Sequence, residues 1–452
     1  MYNIIIYIYL LGVAVASRFN EKIRKMWRGE REAFNILRDK VDSNAKYIWF
    51  HAASLGEFEQ GRPIMERIKK EHPEYKILLT FFSPSGYEVR KNYDGADIIC
   101  YLPLDTPSNA RRFLSLVQPC MAFFIKYEFW WNYLSILKKR GIPTYSVSSI
   151  FREGQIFFRW YGKQYGRVLS CFTKFFVQNE TSKDLLASIG LRNVEITGDT
   201  RFDRVLQIKE QAKYLNEVWE FSRYESQMKN CDGRHTVVVG SSWEHDEDVY
   251  LPYFQENPEW KLIIATHVVS KERIEALRNR LEAMGKSVIL YSETQEAKKD
   301  PSVLWKDFSS HCANKEGECG MPNYPDVIKG IINKADVLII DCYGLLSSIY
   351  QYGHVAYVGG GFGVGIHNVL EAAVWGMPVL FGPNNKRFHE AQGLIKAHGG
   401  MEIDSTESLR NIMNKFKNDK EALQTASSAA EEFVKSNAGA TDKTLTEIKW
   451  KD

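Results

Sequence analysis

Paired cysteines are missing from this chain. Its seven cysteines (Cys100, Cys120, Cys171, Cys231, Cys312, Cys319, Cys342) are scattered, odd in number and never spaced C-x-x-C. That excludes a disulfide scaffold and favours a reducing compartment with free thiols. An excess of charge is missing too: the net charge of +3 argues against an extended nucleic-acid surface, so no nucleic-acid partner is expected. No internal repeat is visible. No Asp-x-Asp metal motif stands out, so a transfer without metal or cofactor is favoured. The apolar run Ile4–Ala16 spans roughly 20 Å as a helix, short of the roughly 30 Å hydrocarbon core.

What is present is globular: 452 residues, 44% hydrophobic and 25% charged, enough for two large domains. Aromatic content of 13% fits a large core, and also a surface that meets lipid or sugar. The strongest local signal is residues 356–383. A buried strand, Ala356–Val358, runs into Gly359, Gly360, Gly361, Gly363 and Gly365. A helix is expected over His367–Trp375, stopped by Gly376 and Pro378, before a strand at Val379–Phe381. Such a βαβ unit, with its helix N-terminus open, suits an anion such as phosphate, and Glu371 one turn into that helix suits ribose hydroxyls. Glycine-rich turns also serve packing alone. The loop is neither a dinucleotide fingerprint nor a Walker loop: it has no strict G-x-G-x-x-G, and no G-K-[ST] follows it.

Ile4–Ala16 is followed by Arg18, Lys22, Arg24, Lys25, Trp27, Arg28 and Arg31. A cleaved signal is one reading. Charge placed after the apolar run instead keeps the following chain in the cytoplasm, and a short membrane anchor is expected. Strands are expected at Tyr47–Phe50, Ile77–Thr80, Asp97–Tyr101, Met121–Ile125, Pro143–Val147, Phe172–Val177 and Val194–Thr197. A second series is expected at Thr236–Val239, Lys261–Ala265, Ser287–Tyr291 and Val337–Ile340. Strands alternating with helices imply parallel, doubly wound sheets with ligands beyond the strand C-termini. The polar stretch 296–326 reads as an insertion, and a metal site at His311, Cys312 and Cys319 within it is a minor possibility.

Two Rossmann-like halves suit a separate donor and acceptor. Glu57, on the turn after the first strand, can take a proton from an acceptor hydroxyl, or merely favour its own helix N-terminus. Glu128, beside Phe129-Trp130-Trp131, is a carboxylate in an apolar wall or a paired buried acid. Arg201 can stabilise leaving-group phosphate, or be an ordinary surface arginine.

His51-Ala-Ala-Ser-Leu-Gly-Glu57, Glu128-Phe-Trp, Thr197-Gly-Asp-Thr-Arg201-Phe-Asp and His367-Asn-Val-Leu-Glu371 together resemble the 3-deoxy-D-manno-octulosonic acid (Kdo) transferase family, from the N-terminus to about residue 400. The resemblance implies a GT-B glycosyltransferase, with two Rossmann-like domains facing each other across a cleft and a short N-terminal anchor. It implies inverting transfer of Kdo from CMP-Kdo to a hydroxyl of the lipid A precursor lipid IVA, in lipopolysaccharide inner-core synthesis, at the cytoplasmic leaflet of the bacterial inner membrane. Glu57 is then the general base, and Glu128 and Arg201 stabilise the transition state. Ser54 and Gly56 line the acceptor turn. Ser241, Ser242, Ala265, Thr266, Tyr343, Gly344, Leu345, His367, Asn368, Val369, Leu370 and Glu371 bind the donor, with phosphate at the serines and the helix start near His367.

The sequence departs from the family at Ala265-Thr266-His267, where Pro-Arg-His is usual. The missing arginine leaves Lys271 or Arg273 as substitutes. Arg201 stands for a usual lysine, Trp243 for a frequent histidine and Ile366 for a common glycine. The expected domains are 1–30 (anchor and basic segment), 31–210 (acceptor domain), 211–232 (linker), 233–430 (CMP-sugar domain) and 431–452 (C-terminal helix). Competing readings are another GT-B transferase using a UDP-sugar with a lipid or cell-wall acceptor, and a membrane-tethered binding protein with the fold alone. The absent glycine fingerprint disfavours a dinucleotide oxidoreductase.

Overall fold

The structure is a computed structural model that describes residues 2–223, 235–299, 304 and 324–450. Most of the 296–326 insertion, with His311, Cys312 and Cys319, lies outside the described residues, as does Cys231.

The chain forms two compact units, 1–204 with 437–452, and 205–436. Each holds one seven-stranded, wholly parallel sheet. The first contains β1 (Lys46–Ala52), β2 (Tyr75–Phe81), β3 (Ile98–Tyr101), β4 (Met121–Ile125), β5 (Thr144–Ser149), β6 (Lys174–Val177) and β7 (Val194–Ile196), in the order β3-β2-β1-β4-β5-β6-β7. The second contains β8 (His235–Ser242), β9 (Trp260–Thr266), β10 (Val288–Leu290), β11 (Val337–Ile340), β12 (Val355–Val358), β13 (Val379–Phe381) and β14 (Gly400–Glu402), in the order β10-β11-β9-β8-β12-β13-β14. Thirteen strands stand where the apolar runs place them. The fourteenth, Gly400–Glu402, is too short and too polar to announce itself.

Both sheets are buried on both faces. In the first, Trp49, Phe124 and Tyr133 fill one side, and Phe50, Phe58 and Phe123 the other. Winding reverses between β1 and β4 in the first sheet and between β8 and β12 in the second. Crevices at such switch points are where parallel sheets bind ligands.

The boundaries differ from the expected ones. A helix capped by Asn20 runs through residue 30, over Glu21–Lys40, and buries Met26, Ala33, Phe34 and Leu37. The basic segment is therefore built into the first unit. Residues 211–223 are no free linker: Val218 and Phe221 on the helix Asn216–Arg223 are fully buried, and the buried Lys261 ammonium donates to the Phe221 carbonyl at 2.9 Å. At the C-terminus, one helix ends at Ser436 and another starts at Ala440. Gly439, at φ +96°, breaks them, while the Asp203 carboxylate accepts the Gly439 and Thr441 amides at 2.5 and 2.6 Å. The last residues thus return to the first unit, where Trp450 stacks on His72.

No helix among the described residues is long and apolar enough to cross a membrane. The helix Tyr2–Ala16 exposes Ile4, Ile5, Ile8 and Leu11. Its first turn is tied down by Tyr2, whose hydroxyl donates to Asp105 at 2.6 Å.

Candidate active site

The carboxylates of the first unit emerge from neighbouring strands at its switch point. β1 runs into Ser54, which opens the helix Leu55–Glu71, and Glu57 sits in that helix's first turn. Its Oε2 accepts the Ser54 amide at 2.8 Å and the Ser54 hydroxyl at 3.1 Å. Half of the carboxylate therefore caps the helix, and Oε1 has no partner among the described residues. Burial raises the Glu57 pKa, the Glu128 carboxylate adds to it, and the Ser54 contacts oppose them. A base with a raised pKa suits proton abstraction near neutrality. A side chain added at Gly56 would meet nothing within 4 Å, so the space over this turn is open.

Lys126, at φ +67°, turns the chain after β4 and brings Glu128 back toward β1. Glu128 Oε2 lies 3.0 Å from His51 Nε2 and accepts the Trp130 indole N–H at 2.7 Å. Of the readings left open for Glu128, this is the paired buried acid. Arg201 is not an unattached surface arginine: its Nε and Nη2 donate to Asp199 Oδ2 at 2.9 and 2.7 Å. Burial alone would raise the Asp199 pKa, but the Arg201 charge and hydrogen bonds hold it below the usual carboxylate range. Asp199 also accepts from Gln60 at 3.1 Å, one turn beyond Glu57, and Thr200 donates to the Gln60 carbonyl at 2.6 Å. The arginine is thus fixed beside the Glu57 helix.

In the second unit the donor segments gather at the ends of adjacent strands β11, β9, β8 and β12. A bulge between Gly240 and Ser242 puts Ser241 at φ +54° and turns Ser242 inward. The Ser242 hydroxyl bonds Glu247 and Tyr250, each at 3.1 Å, so it is committed to the interior. Ala265 and Thr266 are buried, with Thr266 Oγ1 donating to the Val268 carbonyl at 2.8 Å. Tyr343 is exposed, and its hydroxyl accepts the Val269 amide at 3.1 Å. Gly344 has φ +87°, and Leu345 precedes the short helix Leu346–Ile349.

The glycine loop departs from expectation. The helix is a single turn, Leu370–Ala373, not His367–Trp375. The loop folds on itself instead: Gly363 and Gly365 both donate to the Gly360 carbonyl at 3.0 Å, and His367 donates to Gly359 at 3.2 Å. Gly361 packs on Gly382 so closely that a side chain there would come within 2.5 Å of backbone. Part of the glycine content therefore serves packing, and the helix start expected near His367 lies at Leu370. Asn368 caps it, accepting the Leu370 amide at 3.2 Å and donating to Glu371 at 2.9 Å, which orients Glu371. Val369 and Leu370 are buried beneath. His367 accepts the Trp243 indole N–H on Nε2 at 3.2 Å, under a stacked His267. Burial and His267 lower its pKa to about 4, so it is a neutral ring.

Asp246 was silent in the sequence and clasps the loop. It accepts from Gly360 N at 2.8 Å, Trp243 N at 3.1 Å and the Tyr357 hydroxyl at 3.0 Å. Asp246-Glu247-Asp248 has Asp-x-Asp spacing, yet its members point apart: Glu247 pairs with Arg273 and Asp248 with Arg280. That commits Arg273. Lys271 is exposed at the start of its helix. The cation resting on the loop is Arg387, whose Nη2 donates to the Val364 carbonyl at 2.6 Å.

The family model of 3-deoxy-D-manno-octulosonic-acid transferase (kdotransferase) matches residues 26–204, which hold Glu57, Glu128 and Arg201. The 3-deoxy-D-manno-octulosonic acid transferase of Aquifex aeolicus is 25% identical over 368 residues, covering 80% of this chain and 83% of that protein. That of Haemophilus influenzae is 26% identical over 415 residues, covering 89% and 86%. Among solved structures, UDP-GlcNAc 2-epimerase from Neisseria meningitidis superposes with a TM-score of 0.54 at 14% identity, covering 88% of this chain and 98% of that one, a likeness of fold alone. With Glu57, Glu128 and Arg201 inside the matched segment and relatives spanning most of its length, the chain is similar to the 3-deoxy-D-manno-octulosonic acid transferases.

Proposed function

We propose that this enzyme transfers Kdo from CMP-Kdo to a hydroxyl of the lipid A precursor lipid IVA, inverting the anomeric carbon without a metal. Glu57 takes the proton of the acceptor hydroxyl. The freed oxygen attacks C2 of Kdo, the bond from C2 to the phosphate oxygen breaks, and CMP departs with the electron pair. Glu128 supports the positive charge that develops at the sugar. Arg201, held by Asp199, answers the charge on the departing phosphate. In the second unit Glu371, oriented by Asn368, accepts the ribose hydroxyls. The segments at Ser241, Ala265-Thr266 and Tyr343-Gly344-Leu345 line the nucleotide, and Arg387 supplies the cation absent at Thr266.

We further propose that the helix Tyr2–Ala16 lies in the cytoplasmic leaflet of the inner membrane. The reading is supported by its exposed apolar face and the basic residues after it, which suit anionic headgroups. The observation that carries the functional reading is the Glu57 carboxylate, with Oε1 unpartnered among the described residues and the Glu128 charge felt by it, at the switch point of the first unit, most of which the family model covers.

The test is product mass. Purified full-length protein is mixed with a tetra-acylated lipid A precursor while CMP-Kdo is generated in situ. One or more Kdo increments are expected, and their number reports how many units are added. No increment, with folded protein and the donor present, refutes the assignment and points to another nucleotide sugar.

A further inference from the structure

A histidine with no exposed surface is sealed behind Glu128. β1 places His51 two residues beyond Trp49, so both side chains lie on one face. The ring enters a wall of Trp49, Phe124 and Trp130, with ring centroids 5.8–6.4 Å away. Both nitrogens are engaged. Nδ1 lies 2.9 Å from Thr80 Oγ1 and 3.2 Å from the Thr80 carbonyl oxygen. A carbonyl can only accept. The Thr80 hydroxyl has its own acceptor in Phe50 O at 3.2 Å, and it receives the Trp49 indole N–H at 2.8 Å. Nδ1 is therefore the donor. At the other end, Nε2 lies 3.0 Å from Glu128 Oε2. Between a lone pair on Nε2 and an ionised carboxylate oxygen this contact would be repulsive, so a proton belongs there. The Trp130 N–H cannot supply it, because it is nearer Oε2 (2.7 Å) than Nε2 (3.2 Å).

We propose that His51 holds protons on both ring nitrogens and forms a buried imidazolium–carboxylate pair with Glu128, making it the positioning residue that keeps Glu128 ionised and leaves Glu57 as the base. Two facing carboxylates with no cation share a proton, because like charges resist joint ionisation. With the His51 cation included, the three groups carry one net negative charge and Glu57 stays free to take a proton. Glu57 feels Ser54, Glu128 and His51. Tyr127 is within electrostatic reach of Glu57 and of the Arg152, Arg201 and Asp199 charges. Glu128 Oε2 meets both donors, while Oε1 has no partner among the described residues and is left for the substrate. The proton count stands on geometry, and the role for Glu57 rests on the transferase reading above.

The first test needs no substrate. Long-range proton–nitrogen NMR of the full chain, near pH 7.5, reads the protonation of each histidine ring. Trp130→Phe assigns His51 by the ring-current change. Two protonated nitrogens are expected, and a single one, at either position, overturns the proposal. The second test is kinetic. His51→Gln should lower kcat by roughly tenfold or more, the worth of a hydrogen bond to a charged group. It should leave the KM for CMP-Kdo in place and move the acid limb of the kcat/KM profile to higher pH. A loss of folded protein with an unmoved acid limb would make His51 merely structural and overturn its positioning role. If His51→Gln does not fold, the wild-type spectrum still decides the proton count. Absence of Kdo transfer by the wild-type enzyme would defeat the transferase reading and leave the NMR result standing.

Discussion

Glu57 does two things that one substitution confounds and two can separate. Its Oε2 accepts two hydrogen bonds from Ser54, a helix cap worth about 1 kcal/mol. Its Oε1 is the proposed proton acceptor, and general-base assistance is worth roughly 10²- to 10⁴-fold in rate. Glu57→Ala removes both. Glu57→Gln keeps a side-chain oxygen for Ser54, as the glutamine of a capping box does, and removes only the basicity. It also removes the negative charge facing Glu128. We therefore expect Glu57→Gln to melt within a degree or two of the wild type, and Glu57→Ala to melt roughly 2–4 °C lower. Both should lose transfer by about a hundredfold or more while binding CMP normally. The assays are thermal denaturation, CMP titration calorimetry and product mass. The wild-type kcat/KM should fall as pH drops through the Glu57 pKa, because the base must be ionised. Burial and Glu128 raise that pKa, so the limb lies above the roughly 4.3 of an ordinary glutamate. Turnover by Glu57→Gln within about threefold of wild type, against the hundredfold or more expected of a lost base, would refute the base role and leave Glu57 as a cap.

Other predictions read other parts of the structure. Gly56 faces open space in the first turn of a helix, so Gly56→Ala should stabilise the protein by about 0.4–1 kcal/mol yet lower kcat/KM if substrate occupies that space; unchanged kinetics would remove Gly56 from the site. Glu371→Ala should weaken CMP binding, and Arg387→Gln should raise the KM for CMP-Kdo with kcat nearly kept; unchanged values in calorimetry and kinetics would break these assignments. Burial pushes the Glu30 carboxyl from 4.5 up to about 8, with the Leu104 amide its one hydrogen bond, at 3.3 Å, among the described residues. An acid raised in this way stabilises the fold while protonated, and that contribution is lost as pH rises across this window. Glu30→Gln should flatten the fall in stability measured by urea unfolding between about pH 5 and 9; parallel curves would refute it.

Much of this was legible because parallel sheets buried on both faces write their strands as apolar runs. Thirteen of the fourteen strands follow from that, and the switch points follow from the winding. The residues that end those runs, Glu57 and Glu128 among them, are then placed by topology alone. The glycine loop was legible as a loop but not as a shape. Composition marks five glycines, while their use depends on Gly382, across the next strand, and on Asp246, distant in sequence. The expected helix is shortened at its start, where the amides of Gly363, Gly365 and His367 are spent on loop carbonyls, while Gly376, at φ +69°, closes the turn after it as expected. The linker was misread because charged residues on a helix hide its few apolar ones, and Val218 and Phe221 become core only against a partner.

The least legible feature is the protonation logic of the catalytic unit, because it is three-dimensional in every term. His51 is one residue of a seven-residue motif, and nothing in the motif says that its ring is sealed. That follows from β1 pairing with β2 in the register His51↔Thr80 and with β4 in the register His51↔Phe124. The first pairing fixes what Nδ1 meets. The second places Glu128, three residues past the end of β4, where it can meet Nε2. Once both nitrogens are assigned, the carboxylates are no longer interchangeable. Glu128 has a cation and an indole N–H on one oxygen, and Glu57 has only neutral donors. On the proposed reading an acceptor hydroxyl gives up its proton to the carboxylate that lacks a cation, so it is the pairing of β1 with its neighbours that assigns the base role to Glu57.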